Sequence, residues 1–81
     1  MKHDLESKIK AVAANIRKTR EHLRYTQEYL AAKLHISQNA YSKIELGYTK
    51  ITVERLFQIA EILGVDAFDI IGLNHPDKIA V

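Results

Sequence analysis

Three features of this chain predict an all-α domain of five helices. Apolar residues recur at the i, i+3, i+4 spacing of one-sided helices, as at Leu30, Ala31 and Leu34 and again at Ala40, Tyr41 and Ile44. One local device is repeated four times: a capping side chain is preceded by an apolar residue, and a second apolar residue follows four positions after the cap. The instances are Tyr25-Thr26 with Leu30, Ile36-Ser37 with Tyr41, Ile51-Thr52 with Leu56, and Val65-Asp66 with Ile70. This is the hydrophobic-staple spacing, in which the cap oxygen takes a free first-turn N–H and the apolar pair fixes the entry angle of the helix. Finally, Gly64 and Gly72 close two of the periodic stretches, where a helix end accepts a left-handed residue.

Taken in order, the first helix is expected from about Leu5 to about Leu23. Leu5, Ile9, Val12, Ile16 and Leu23 share a stripe, Ala11, Ala13 and Ala14 favour helix, and Asp4 is the expected cap. Thr26 then opens a second helix and Ser37 a third, over residues 38–46, with only His35, Ile36 and Ser37 between them. So short a connection makes the two helices cross sharply and share one small core, which is the geometry of a helix-turn-helix. The fourth helix is expected over Val53–Leu63, burying Leu56, Phe57, Ala60 and Leu63, and the fifth over Ala67–Ile71. Asp66 and Asp69 read as a cap and a helix-dipole partner rather than as paired catalytic carboxylates. Residues 1–73 form the domain. Residues 74–81, with His75-Pro76-Asp77 and no amphipathic period, read as a turn and a loose tail, whose Ile79-Ala80-Val81 would otherwise suit an added strand in a dimer.

The run from Asn15-Ile16-Arg17-Lys18 through Thr26-Gln27, Leu30-Ala31, Ile36-Ser37, Ser42-Lys43-Ile44-Glu45, Gly47, Leu56, Ala60 and Leu63-Gly64-Val65 to Ile71 resembles the Xre family of helix-turn-helix DNA-binding proteins, which includes the lambdoid phage repressors and Cro. The likeness covers roughly two-thirds of the chain. It implies a lambda-repressor-like fold whose third helix is the recognition helix. The family's first helix usually starts nearer Ala14, so the residues before it are either an extension of that helix or an arm. Three positions depart from the pattern: His35 stands where glycine is usual, Tyr41 where a branched aliphatic is usual, and Leu46 where a polar or basic residue often lies.

Composition narrows the function. Eighty-one residues suffice for one core but leave little room for an enclosed catalytic pocket. The chain has no cysteine, and its start, Met-Lys-His-Asp-Leu-Glu, lacks a signal-peptide core; no run of about 18 apolar residues could span a bilayer, so a cytoplasmic protein is the default reading. His3, His22, His35 and His75 lack metal-site spacing, and the three glycines form no phosphate loop, so neither metal, cofactor nor enzymatic activity is expected. Net charge is +2, but Lys8 to Lys50 carries nine basic residues against three acids, while the chain from Ile51 onward is net −3. That asymmetry suits one face turned to a polyanion, and charge alone fits an ordinary solvated surface equally well.

At 100° per residue, Ala40, Tyr41 and Ile44 cluster on one side of the third helix, and Gln38, Asn39, Ser42, Lys43 and Leu46 on the other. Amides can engage adenine N6 and N7 together, and lysine can donate to guanine O6 and N7. The resemblance therefore implies base reading by Gln38, Asn39, Lys43 and, more weakly, Ser42. It implies backbone contacts by Thr26 and by Gln27, which in the family bonds a phosphate and can brace the first recognition-helix residue, here Gln38. Lys50, Tyr48 and Arg17 complete the expected backbone set, Arg17 being equally readable as plain surface. Arg20 and Glu45 match a pair that bridges the first and third helices in family members, with surface charge as the alternative. The implied function is a sequence-specific transcriptional regulator, in particular a repressor, bound as a homodimer to a palindromic operator. The rival is a protein-interaction module of the same fold, such as an antitoxin with a toxin partner.

Overall fold

A computed structural model describes residues 2–72, with side chains from Asp4 onward. The chain forms α1 (Lys2–His22), α2 (Gln27–Leu34), α3 (Gln38–Glu45), α4 (Val53–Leu63) and α5 (Ala67–Ile71). The tail expected over 74–81 lies outside the described residues. One core joins Ile16 of α1 to Leu30, Ala31 and Leu34 of α2, Tyr41 and Ile44 of α3, Ile59, Ala60 and Leu63 of α4, and Ala67 and Ile70 of α5. α1 packs on α3, α4 and α5, and α2 packs on α3 and α4, so α3 is held from behind by both earlier helices.

The four caps form at the expected residues. Tyr29 N–H donates to Thr26 Oγ1, Ala40 N–H to Ser37 Oγ and Arg55 N–H to Thr52 Oγ1, each at 3.0 Å, and Phe68 N–H donates to Asp66 Oδ1 at 2.9 Å. The residues before these caps, Tyr25, Ile36, Ile51 and Val65, are half-buried against the core. Each cap thus satisfies a first-turn donor while its apolar neighbour anchors the entering chain.

Helix ends follow from the backbone. His35 takes the left-handed conformation at φ 59°, ψ 40°, its N–H bonded to Ala32 O at 3.1 Å and that of Ile36 to Ala31 O at 3.0 Å. These two bonds close α2 and set the crossing with α3. Arg24, also at positive φ, closes α1 in the same way. Gly47 follows α3 at φ 78°, with Lys10 Cγ only 3.3 Å from where a Cβ would stand, so both backbone and space favour glycine there.

Three sequence expectations need correction. Asp4 lies inside α1 rather than capping it, and its carboxylate sits 3.5 Å from Lys8 Nζ one turn on. Of the α1 stripe only Ile16 is buried, with Val12 half-buried against the core; Leu5, Ile9 and Leu23 are exposed because the helix runs past the elements that could cover them. In α4, Phe57 is 59% exposed and Ile59 is fully buried in its place. Leu56, Ile59, Ala60 and Leu63 fall within one arc of the helix, and Phe57 lies about 100° beyond Leu56 and outside it.

Candidate nucleic-acid interface

α3 is eight residues long and divides cleanly. Tyr41, Ile44 and Glu45 face inward and are buried, whereas Gln38, Asn39, Lys43 and Leu46 are exposed and Ser42 is half-buried. Ser37 caps the helix, so Gln38 and Asn39 begin the first turn with its unpaired N–H groups and positive dipole end beside them. Lys43 stands in the last turn.

Beside this face runs a shallow open groove. Asn39 and Lys43 line one wall, and Thr49, Lys50, Thr52 and Arg55 line the other. The fold therefore brings Lys50 together with two of the helix residues singled out from sequence, and it adds Thr49 and Arg55. Arg55 was hidden in the sequence by the acidic character of the second half of the chain; its one local signal was its place three residues after the Thr52 cap, in the first turn of α4. Three cations on one groove, with hydroxyls between them, form a surface complementary to a polyanion. Tyr48, 76% exposed, lies on the α1 side of the same loop, near Ile9 and Lys10.

The other sequence candidates are placed differently. Thr26 is exposed, and because its oxygen accepts the Tyr29 N–H, its hydroxyl proton stays available to an outside acceptor. Gln27 does not brace Gln38. Its Nε2 donates to Glu45 Oε1 at 3.1 Å, since the half-buried side chain turns inward to the carboxylate. Arg17 is outside the groove, on the solvent side of α1, with Nε 3.3 Å from Glu21 Oε2.

Behind α3 lies a buried ion pair. Arg20 Nε donates to Glu45 Oε2 at 2.6 Å and Nη2 to Oε1 at 3.0 Å, while Nη1 donates to Tyr25 O at 2.8 Å. The two side chains are 11% and 2% exposed. The fork is bidentate, the arrangement that fixes both distance and direction. Burial pushes the Glu45 carboxyl up, but the hydrogen bonds from Arg20 and Gln27 outweigh it and hold the group below its ordinary value. The hydrogen bond to Glu45 correspondingly raises Arg20. Tyr41 is fully enclosed nearby; its hydroxyl has no partner in good hydrogen-bond geometry, and burial first, then the neighbouring Glu45 carboxylate, pushes its pKa up. Asn15 adds a tie that sequence reasoning missed, Nδ2 donating to Ile70 O at 2.6 Å and joining α1 to α5.

Among the described residues no group of His, Cys, Asp or Glu is arranged to hold a metal ion, and no helix is long and apolar enough to cross a membrane. The helix-turn-helix family model matches residues 16–70, a span running from Ile16 of α1 to Ile70 of α5. No curated protein and no solved structure matches the chain. The matched span contains both helices of the motif, the outward face of α3 and the whole charged groove, and the family's role is regulatory DNA binding rather than enzymatic. The chain belongs to the helix-turn-helix family and is a DNA-binding regulator of the Xre, lambda repressor-like type.

Proposed function

We propose that the protein is a cytoplasmic, sequence-specific repressor that binds a palindromic operator as a homodimer. The observation that carries this reading is the exposed polar stripe of α3 standing beside the Lys43, Lys50 and Arg55 groove. A helix of ordinary diameter fits the B-DNA major groove. With α3 seated there, Gln38 and Asn39 at its leading end and Lys43 further along meet base edges, and Ser42 contributes a hydroxyl from the margin. The cationic groove then takes the phosphate backbone at the rim through Lys50, and Tyr48 adds a contact from the α1 side of the same loop. Thr26 and Gln27 open α2 toward the other strand. Gln27 has two amide hydrogens, of which Glu45 uses one, leaving the second for a phosphate oxygen. Arg17 is the outermost member of the backbone set.

One recognition helix reads about four base pairs, which is too little information to select a site, and pairing two copies about a two-fold axis doubles it. Bound dimers repress by occlusion, which requires nothing of the protein beyond tight binding. Selection of duplexes from a random pool, followed by a reporter carrying the selected site, tests the reading. A recurring inverted repeat and lowered expression are expected. A pool with no recurring sequence counts against base reading, and raised expression counts against repression.

A further inference from the structure

We propose that Leu46 is an additional base-reading residue that recognises the 5-methyl group of a thymine, a role that rests on the base-reading face assigned above. Leu46 follows the last residue of α3, yet its backbone stays helical at φ −82°, ψ −7°, with its N–H on Ser42 O at 3.1 Å. The helical path can therefore be carried through it. At 100° per residue Leu46 points within about 20° of Asn39 and about 60° of Lys43, and roughly 140° to 160° away from the buried Tyr41 and Ile44. It is 52% exposed, so it is not there to fill the core. Of the other large exposed hydrophobic side chains of the second half, Tyr48 lies in the loop after α3, and Val53, Phe57 and Phe68 belong to α4 and α5, so none shares this stripe.

Chemistry then selects the partner. A leucine side chain can neither donate nor accept, so pressing it on a phosphate or on the polar edge of a G·C pair strips water from groups it cannot satisfy. The thymine methyl is the apolar feature of the major-groove edge, and burying it costs no hydrogen bond. Leu46 lies about 10 Å from Asn39 along the helix axis, so the two side chains meet different base pairs. The polar or basic residue more usual at this position would favour phosphate or guanine; leucine converts the end of the stripe into an A·T-selecting contact and penalises G·C there.

The test replaces each thymine of the selected operator by deoxyuridine, one position per half-site at a time. This removes the methyl and leaves base pairing and every hydrogen-bonding group intact. Wild-type protein should lose about 4-fold in affinity per methyl at one position, the worth of one buried methyl group. Leu46→Ala should show no loss at that position while keeping its response at every other, and Leu46→Met should retain the loss. Circular dichroism melts establish that both variants are folded, which the exposure of the site favours. Wild-type indifference to deoxyuridine at every thymine, or an undiminished loss in Leu46→Ala, overturns the role of Leu46 while leaving base reading by α3 intact. A selected pool with no recurring sequence overturns the base-reading face itself.

Discussion

Removing Arg20 should cost this small domain a large share of its stability. Its guanidinium holds both oxygens of Glu45 at 2.6 and 3.0 Å and the Tyr25 carbonyl at 2.8 Å, and the two side chains are almost wholly shielded from water. In Arg20→Met the Glu45 carboxylate stays buried with Gln27 as its remaining donor, and breaking one side of such a pair costs about 3 to 5 kcal/mol. A domain of this size has roughly 4 to 10 kcal/mol in total, so the variant should melt at least about 12 °C lower, at about 4 °C or more per kcal/mol. Glu45→Gln should lose less, because the neutral amide can still accept from Arg20. The double variant should recover part of the sum, with a coupling of about 2 kcal/mol. Urea melts of the four proteins measure this directly. Losses that add to within about 0.5 kcal/mol would show that the two groups do not act as a pair.

The same pair sets an acid limit. The folded-state pKa of Glu45 lies below its ordinary 4.5, so the folded protein holds this proton less readily than the unfolded chain does. Stability from the pair is therefore fully present above about 4.5 and declines as pH falls through the lowered folded value. In Glu45→Gln that part of the acid loss should be missing, which melts between pH 6 and pH 2.5 would reveal.

Three further outcomes are expected. His35→Gly should raise stability by up to about 1 kcal/mol in thermal melts, because His35 sits at φ 59° where a Cβ is disfavoured; a clear loss would reveal a contact made by the ring. Asn39→Ala and Lys43→Ala should each cost about 1 to 3 kcal/mol at the selected operator and alter base preference at one position per half-site in repeat selections, and unchanged preference would remove them from the reading set. Lys50→Ala should weaken binding to all sequences nearly equally and reduce the slope of log K against log salt by about 1 per half-site, whereas an unchanged slope would place Lys50 away from phosphate.

What was legible in the sequence is what is local. Caps and staples lie within five residues of one another, so Thr26, Ser37, Thr52 and Asp66 could be assigned without knowing the fold, and with them the turn at His35 and both motif helices. Burial depends on partners instead. The stripe through Leu5, Ile9 and Leu23 has the right period, but only the middle of α1 meets other helices, and Phe57 was indistinguishable from a core residue until the arc facing α1, α2 and α5 was defined. The Gln27 contact was missed for a similar reason: Glu45 is 18 residues away, and its pull on the amide exists only after α2 and α3 cross. Arg55 joined the groove by the same route, through the loop after Gly47 that carries Lys50, Thr52 and the first turn of α4 to it.

The buried ion pair makes physical sense as a means of holding α3 in orientation. A buried charge pair is often no more stabilising than well-packed apolar residues of similar volume, so stability alone is a weak reason for it. An eight-residue helix, however, offers only Tyr41 and Ile44 as buried apolar residues, and apolar packing has little directional preference about the helix axis. At a radius of about 5 to 6 Å, a rotation of about 20° moves the outward side chains by roughly 2 Å, enough to break a hydrogen bond to a base edge. Glu45 sits at the C-terminal end of α3, and its carboxylate is held by a rigid fork from α1 and an amide from α2. These directional contacts from two other helices oppose the rotation that packing tolerates, and α3 can present its reading face to DNA already oriented, with little ordering left to be done on binding.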